Sequence, residues 1–574
     1  MKQHLGPNSE VEIFDFNKIA VTNPTFEQVA SEYNNLEIDL KSANGSQRIA
    51  IVQKWDQLCR NLYTWYHLVD LRFNQDTSNP QFKNNLEYRN DLWPKLTDLE
   101  IGMKRKLLKP PIRNDIQAKY GKHITSLWEA DIMTFDPAIA DDLVVEANLM
   151  SRYTELTASA QLSFNGEVYN LSEIQKFTEE PERQLRHNSQ KVLWNWFLEN
   201  GEPLDSIFDK LVHLRTDMAI KLGYNNYIDL AYKKMKRIDY NQEDVEHYRC
   251  EVIQHVVPLA NTIREKQRKK LGLEKLYAYD EPLFIPEGNP KPLGEYDWLI
   301  ERAIGMFDGL EKEMGSFFRF MKDSRLLDLK SRKGKAYGGM CSYFPSYGVP
   351  HIFANFNGTL EDIRVFTHEM GHAFQMYCSR HQPLLDYQMP TFDSCEVHSM
   401  SLEFLTWPYL EKFFGEKGAR DFQFINLAQW LLWLPYGVAV DHFQHLVYAN
   451  PKTFPSERHA IWKELEKTYL PWRNWHDLTY AAKGGRWQLT GHLYLTPFYY
   501  IDYTLALCCA FQFWIKSEEH FDKAVHDYIS LCKRGGEASF QDLVRSAGLK
   551  SPFEKGCLEE VVNRAYEVLG SGAK

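Results

Sequence analysis

Helical periodicity dominates the hydrophobic pattern of the chain. Phe26, Val29, Tyr33, Leu36 and Leu40 recur at three- and four-residue steps, so they share one face of a helix. Pro24 and Thr25 are its start signals, and Asn44-Gly45 reads as its stop. Ile51, Trp55, Leu58 and Leu62 repeat the pattern in the next stretch. Helices joined by short Asn, Gly or Pro breaks are predicted up to about residue 200. No fixed period recurs, which argues against a solenoid. Strand signals are few. Phe164-Asn165-Gly166-Glu167-Val168-Tyr169 reads as a small hairpin around Asn-Gly. Residues 337–357, rich in Gly, Tyr, Val and Phe, read as a strand pair with Pro350 favouring an edge position. The fold class is therefore mainly α, with a small β-sheet. A boundary within 181–200 divides the chain into a helical lobe, 1–190, and a second lobe, 191–574.

The strand pair leads into Thr367-His368-Glu369-Met370-Gly371-His372, an HExxH motif. Residues four apart on a helix share a face, so both imidazoles reach one ion. Thr359 is the expected cap of that helix, with Glu361 and Asp362 in its first turn. Leu360, Ile363, Phe366, Met370, Ala373 and Tyr377 form an apolar stripe away from the histidines. A catalytic zinc needs three protein ligands and one open position. Gln375 and Cys378 occupy the places where a metzincin carries Gly and His, which leaves a carboxylate on a following helix. The candidates are Asp386, Asp393, Glu396 and Glu403. Asp393-Ser394 reads as a helix start, with Asp393 as cap. Glu396, Ser399 and Glu403 then fall on one face. Glu396 is chosen as the ligand and Glu403 as a partner for a ligand histidine.

Composition narrows the setting. The 574 residues carry a formal net charge of -10 and only short basic clusters, which argues against a nucleic-acid partner. Nine scattered Cys, without a CxxC pair, suit reduced thiols in the cytoplasm. Residues 1–15 lack an apolar signal region, and no apolar run is long enough for a membrane span. Oligomeric state stays open.

The run His368-Glu369-Met370-Gly371-His372, followed by Glu396-Val397-His398-Ser399 and Glu403, resembles the thimet-like oligopeptidases, in the oligoendopeptidase F and Pz-peptidase branch. Gly338-Gly339 and Asn355-Phe356-Asn357-Gly358-Thr359 match the stretch before the motif, and Asp441-His442-Phe443-Gln444-His445 a helix after it. The segment from His492 to Tyr503 matches the family's His/Tyr substrate region. The resemblance implies a large helical, clam-like or ellipsoidal fold with a deep channel, one zinc ion per chain, and endopeptidase action on short unstructured peptides. It implies His368, His372 and Glu396 as ligands, Glu369 as general base, and His492, Tyr499 and Tyr503 as substrate and transition-state residues. Ile501 stands where many relatives carry Tyr, so the main hydroxyl donor is open among Tyr494, Tyr499, Tyr500 and Tyr503.

The expected chemistry is attack by a zinc-bound water, with Glu369 taking its proton and passing it to the leaving amine. A tyrosine from the C-terminal segment assists at the oxyanion. Residues 352–355, including Ile352 and Ala354, are expected to pair with substrate backbone as an exposed edge. Tyr494 and Tyr500 are further substrate contacts. Gly484, Gly485 and Gly491, around Arg486-Trp487, predict a mobile lid. His351 is expected at the surface. His442 and His445 are expected in the core or behind the site rather than on a second metal. The other readings are a dipeptidyl carboxypeptidase-like exopeptidase and a non-catalytic helical peptide-binding scaffold.

Overall fold

The computed structural model describes residues 13–570; residues 1–12 of the polar N-terminal stretch lie outside them. The molecule is mainly helical with two small sheets. The first helix, Phe26–Ser42, is opened by a capping box between Thr25 and Gln28, and its Val29, Tyr33, Leu36 and Leu40 are buried. Asn44 does not stop this helix. Its side chain instead caps the next one, Gly45–Gln75, by a second box with Gln47. Ile51, Trp55, Leu58 and Leu62 are all buried there.

These helices and the following ones build a first core from Val29 to Trp128, joined by Leu384 and Tyr387 from far along the chain. The second, larger core runs from Phe16 to Leu569, and residues on both sides of 190, such as Ile174 and Trp194, share it. A cavity of about 1000 Å³ lies between groups of both cores, lined by Trp55, Tyr63, Tyr153, Met340, Cys395 and Leu495 among others. No helix among the described residues is long and apolar enough to cross a membrane.

The expected hairpin is present as β1 (Leu162–Phe164) and β2 (Glu167–Tyr169), with Asn165 and Gly166 both at positive φ, as a tight two-residue turn requires. The expected strand pair is also present. However, β3 (Leu327–Lys330) joins β4 (Met340–Phe344) and β5 (Val349–Phe356) to give the order β3-β5-β4. β5 is therefore the central strand, not an edge. Pro350 is tolerated because β3 pairs with β5 only from Ile352 onward. The missing N–H at Pro350 thus costs no bond on that side. His351, expected at the surface, is buried against Phe16.

β5 feeds the helix Glu361–Ser379 through Asn357 and Gly358. Thr359 does not cap it; its hydroxyl bonds Asn357 instead. The carboxylate of Asp362 accepts the backbone N–H groups of Asn357 and Gly358, both at 2.8 Å, and so locks the turn. A second helix, Phe392–Leu405, packs between this one and a third, Tyr500–Glu519. That three-layer stack brings distant sequence segments to one place.

Candidate metal centre

The motif helix presents His368 and His372 one turn apart. The middle helix presents Glu396 opposite them. Glu396 Oε2 lies 3.2 Å from His368 Nε2 and 3.3 Å from His372 Nε2. Ligands bound at about 2.0–2.1 Å in a tetrahedron are separated by about 3.3 Å, so this donor set fits a tetrahedral ion. Gly371 makes the approach possible. A Cβ there would stand 2.6 Å from His398 O and from Ser399 Cα, so any side chain would push the two helices apart.

Two of the three, His368 and Glu396, are held from behind. His368 Nδ1 bonds Glu403 Oε1 at 2.9 Å, and Glu403 Oε2 accepts from Trp430 Nε1 at 2.8 Å. That fixes the ring with Nε2 facing the cluster. The Ser399 hydroxyl donates to Glu396 Oε2 at 2.7 Å. The Tyr499 hydroxyl donates to Glu396 Oε1. Asp393 sits in the first turn rather than at the cap, a place taken by Thr391. It accepts from the Ser394 N–H and from Tyr240, away from the histidines. Asp386 accepts from Trp128.

Glu369 is buried, and its Oε2 has no protein partner. Burial raises its pKa, opposed by His368 and His372 and reinforced by Glu396 and Glu403. The Gly338-Gly339 pair lies against it. A Cβ on Gly339 would come within 3.2 Å of Glu369 Oε1, so the glycine keeps that flank open.

The C-terminal segment converges on the same place. His492 Nε2 bonds the Tyr503 hydroxyl at 3.1 Å, and the Tyr499 and Tyr503 ring centroids are 4.8 Å apart. Burial pushes His492 down to about 4, with Glu396 opposing. Tyr500 turns the other way, onto Trp433 and Tyr436, although its ring stays 5.2 Å from His492. Tyr494 is fully buried, stacked on Tyr153 at 4.0 Å with its hydroxyl toward Leu204 O. Its position is that of a core residue. Ile352 and Ala354 are buried on the central strand, where Ile352 pairs with both Leu327 and Cys341, so the expected open edge is not there. β3 and β4 are the two edges of this sheet, and of these it is β4 whose Met340 and Cys341 line the cavity. The expected lid is packed down as well. Trp487 is fully buried against Phe208 and Phe443, and Gly484 has the backbone of His459 where a Cβ would go.

Sequence reasoning missed the clamp that aims Tyr499. Phe498 adopts a left-handed φ of +67°. The Gln444 side chain accepts its N–H at 2.6 Å, and Arg237 donates to its carbonyl at 2.5 Å. Such strain persists only where surrounding groups enforce it. The Asp441-to-His445 run was visible, but a contact between Gln444 and a residue 54 positions on was not. His442 bonds Tyr469, and His445 faces Asp441 and Tyr232.

Comparison with known proteins now bears on this geometry. The family model for the peptidase M3 N-terminal domain matches residues 16–135, and that for peptidase family M3 matches residues 315–563. A Pz-peptidase A solved with an inhibitor is 41% identical, with a TM-score of 0.96 over 97% of this chain and 99% of its own. The chain belongs to peptidase family M3. A structure assigned as an oligoendopeptidase F is 42% identical, with a TM-score of 0.96 over 97% of this chain and 99% of its own. Another assigned oligoendopeptidase F, from Bacillus anthracis str. Ames, is 38% identical, with a TM-score of 0.91 over 97% and 98% of the two chains. Among curated proteins, none matches the chain. These likenesses place the M3 chain in the oligoendopeptidase F and Pz-peptidase branch and give it the clam-like helical fold of that group. M3 peptidases are metallopeptidases, and the chain carries a His368–His372–Glu396 group suited to the metal.

Proposed function

We propose that this M3 peptidase is a zinc endopeptidase that hydrolyses internal bonds of short unstructured peptides. The observation that carries the reading is the trio of His368, His372 and Glu396 at tetrahedral spacing, with the unpartnered carboxylate of Glu369 beside it. When bound, zinc supplies an acidified water and polarises the scissile carbonyl. Glu369 takes the proton from the attacking water and returns it to the leaving amine. Its raised pKa brings it closer to neutral working pH, where a base is most effective. Tyr503, backed by His492, donates a hydrogen bond to the developing oxyanion. Tyr499, engaged with Glu396, orients that ligand and lies within reach of the same role. β4 offers its free edge to the substrate backbone, which binds peptide with little regard to side chains.

The peptides are met in the cytoplasm, a reading supported by nine free cysteines. Mass spectrometry of a digested peptide library, with and without chelator, tests the whole reading. Internal cleavage of peptides blocked at both ends, abolished by chelator and restored by zinc, is the expected result. Cleavage restricted to a free C-terminus favours the exopeptidase, and no cleavage at all favours the scaffold.

A further inference from the structure

We propose that His187, His476 and Asp477 form a second transition-metal site, distinct from the catalytic one. Their ligand atoms lie within 4.8 Å of one another, and His187 is half-buried while the other two are exposed. Asp477 Oδ1 is 2.6 Å from His187 Nε2 and 3.2 Å from His476 Nδ1. The second spacing already equals that between bound ligands in a tetrahedron, about 3.3 Å, and the first needs only a side-chain adjustment of well under 1 Å. The other carboxylate oxygen, Oδ2, is held by Lys191 at 2.7 Å, which leaves Oδ1 to bind as a single donor.

The two imidazoles are braced before any ion arrives. His476 stacks on Tyr277 with centroids 4.3 Å apart, and His187 packs on Tyr279 at 4.4 Å. Both tyrosines belong to one short segment, and Ala278 between them donates its N–H to Asn474 O at 2.7 Å. His476 itself takes a left-handed φ of +54°, with its N–H bonded to the Asn474 side chain at 3.0 Å. Two neutral imidazoles and one carboxylate, with the remaining positions facing water, suit a borderline ion such as Zn²⁺, Co²⁺, Ni²⁺ or Cu²⁺ and discriminate against Mg²⁺ and Ca²⁺. An ion there ties the helix Arg183–Glu199 to the turn at 474–477. It adds a cross-link between segments nearly 300 positions apart and touches neither the motif helix nor the His492 segment.

Equilibrium dialysis of the purified holoenzyme against zinc tests this. At about 100 µM free zinc the chain is expected to hold about two ions, and the His187→Ala and His476→Ala variants about one. The converse variant, His368→Ala with His372→Ala, is expected to keep the second ion, so failure of the catalytic reading is told apart from failure of this one. Zinc should also raise the melting temperature of the catalytic-ligand variant, and this rise should vanish when Asp477→Asn is added. A stoichiometry of one in the wild type overturns the proposal. So does a second ion that survives His187→Ala and His476→Ala.

Discussion

At the scale of single residues, the proposed zinc chemistry asks some groups to hold the metal and others to move protons. Glu369 Oε2 has no protein partner, so Glu369→Gln is expected to keep its zinc and lose about 10²- to 10⁴-fold in turnover, checked by metal analysis beside a peptide assay. Two tyrosines are open to the same distinction. Tyr503 bonds His492 and Tyr499 but none of the metal-site trio, whereas Tyr499 bonds Glu396 directly. Tyr503→Phe should therefore cost about 10²- to 10³-fold in kcat with KM little changed. Tyr499→Phe should weaken zinc retention by about 10- to 100-fold, read by competition with a chelator. If Tyr503→Phe turns over normally while Tyr499→Phe keeps its zinc and loses turnover, Tyr499 and not Tyr503 is the oxyanion donor. The HExxH pair is legible in the sequence because helical spacing puts both imidazoles on one face, whereas Glu396 shares its face with Glu403 and spacing alone does not choose between them. Tyr494 was not separable from Tyr499 and Tyr503, because nothing in a run of aromatics says which ring faces the core.

Secondary-structure elements carry the close approach that the ligands need. The motif helix meets the middle helix at Gly371, where a Cβ would run into backbone atoms rather than a movable side chain. Gly371→Ala is expected to destabilise the chain by about 1–3 kcal/mol through overpacking and to lower zinc affinity more than it lowers stability. Denaturant melts and chelator competition measure the two; an unchanged zinc affinity would mean that the helices move without shifting Glu396. The helices themselves were legible from period and caps, as Val29 through Leu40 show. The sheet order was not. β5 was visible as a strand, but its parallel partner β3 lies more than 20 residues upstream, and parallel pairing leaves no turn signal between the strands. That single missing strand turned an expected edge into a centre, so the proposed pairing with substrate falls to β4 instead. The supposed lid failed for a related reason. Glycines at 484 and 485 mark tight packing as readily as motion, and the burial of Trp487 decides between the two.

Over the whole molecule, acid sensitivity and substrate size follow from the same packing. Burial pushes His351 down to about 3, with Asp328 opposing and Arg72 and Lys335 adding to it. Its folded pKa is below the unfolded value, so the unfolded chain takes the proton first on acidification. Stability from this group is complete above about pH 6.5 and falls as pH drops toward 3. His351→Gln should lose about 2 kcal/mol less than wild type between pH 7 and pH 5, measured by urea unfolding at both; equal losses would show that the imidazole finds a way to charge in place. Size selection is expected from the cavity, whose lining includes Phe392 and Cys395 next to Glu396. It holds about 1000 Å³. A folded domain of 100 residues has a radius of gyration of about 13 Å, and so as a sphere a radius of about 17 Å and a volume on the order of 20000 Å³, which cannot enter. An extended peptide needs only its own width and about 3.4 Å of length per residue. A native globular protein is therefore expected to resist cleavage by at least about 100-fold relative to a ten-residue peptide copied from one of its own loops. Comparing the two at equal concentration, with product masses read over time, tests this. Similar rates for the folded protein and the peptide would mean that the clam opens far enough to admit a domain, and size selection would then have to come from chain flexibility alone.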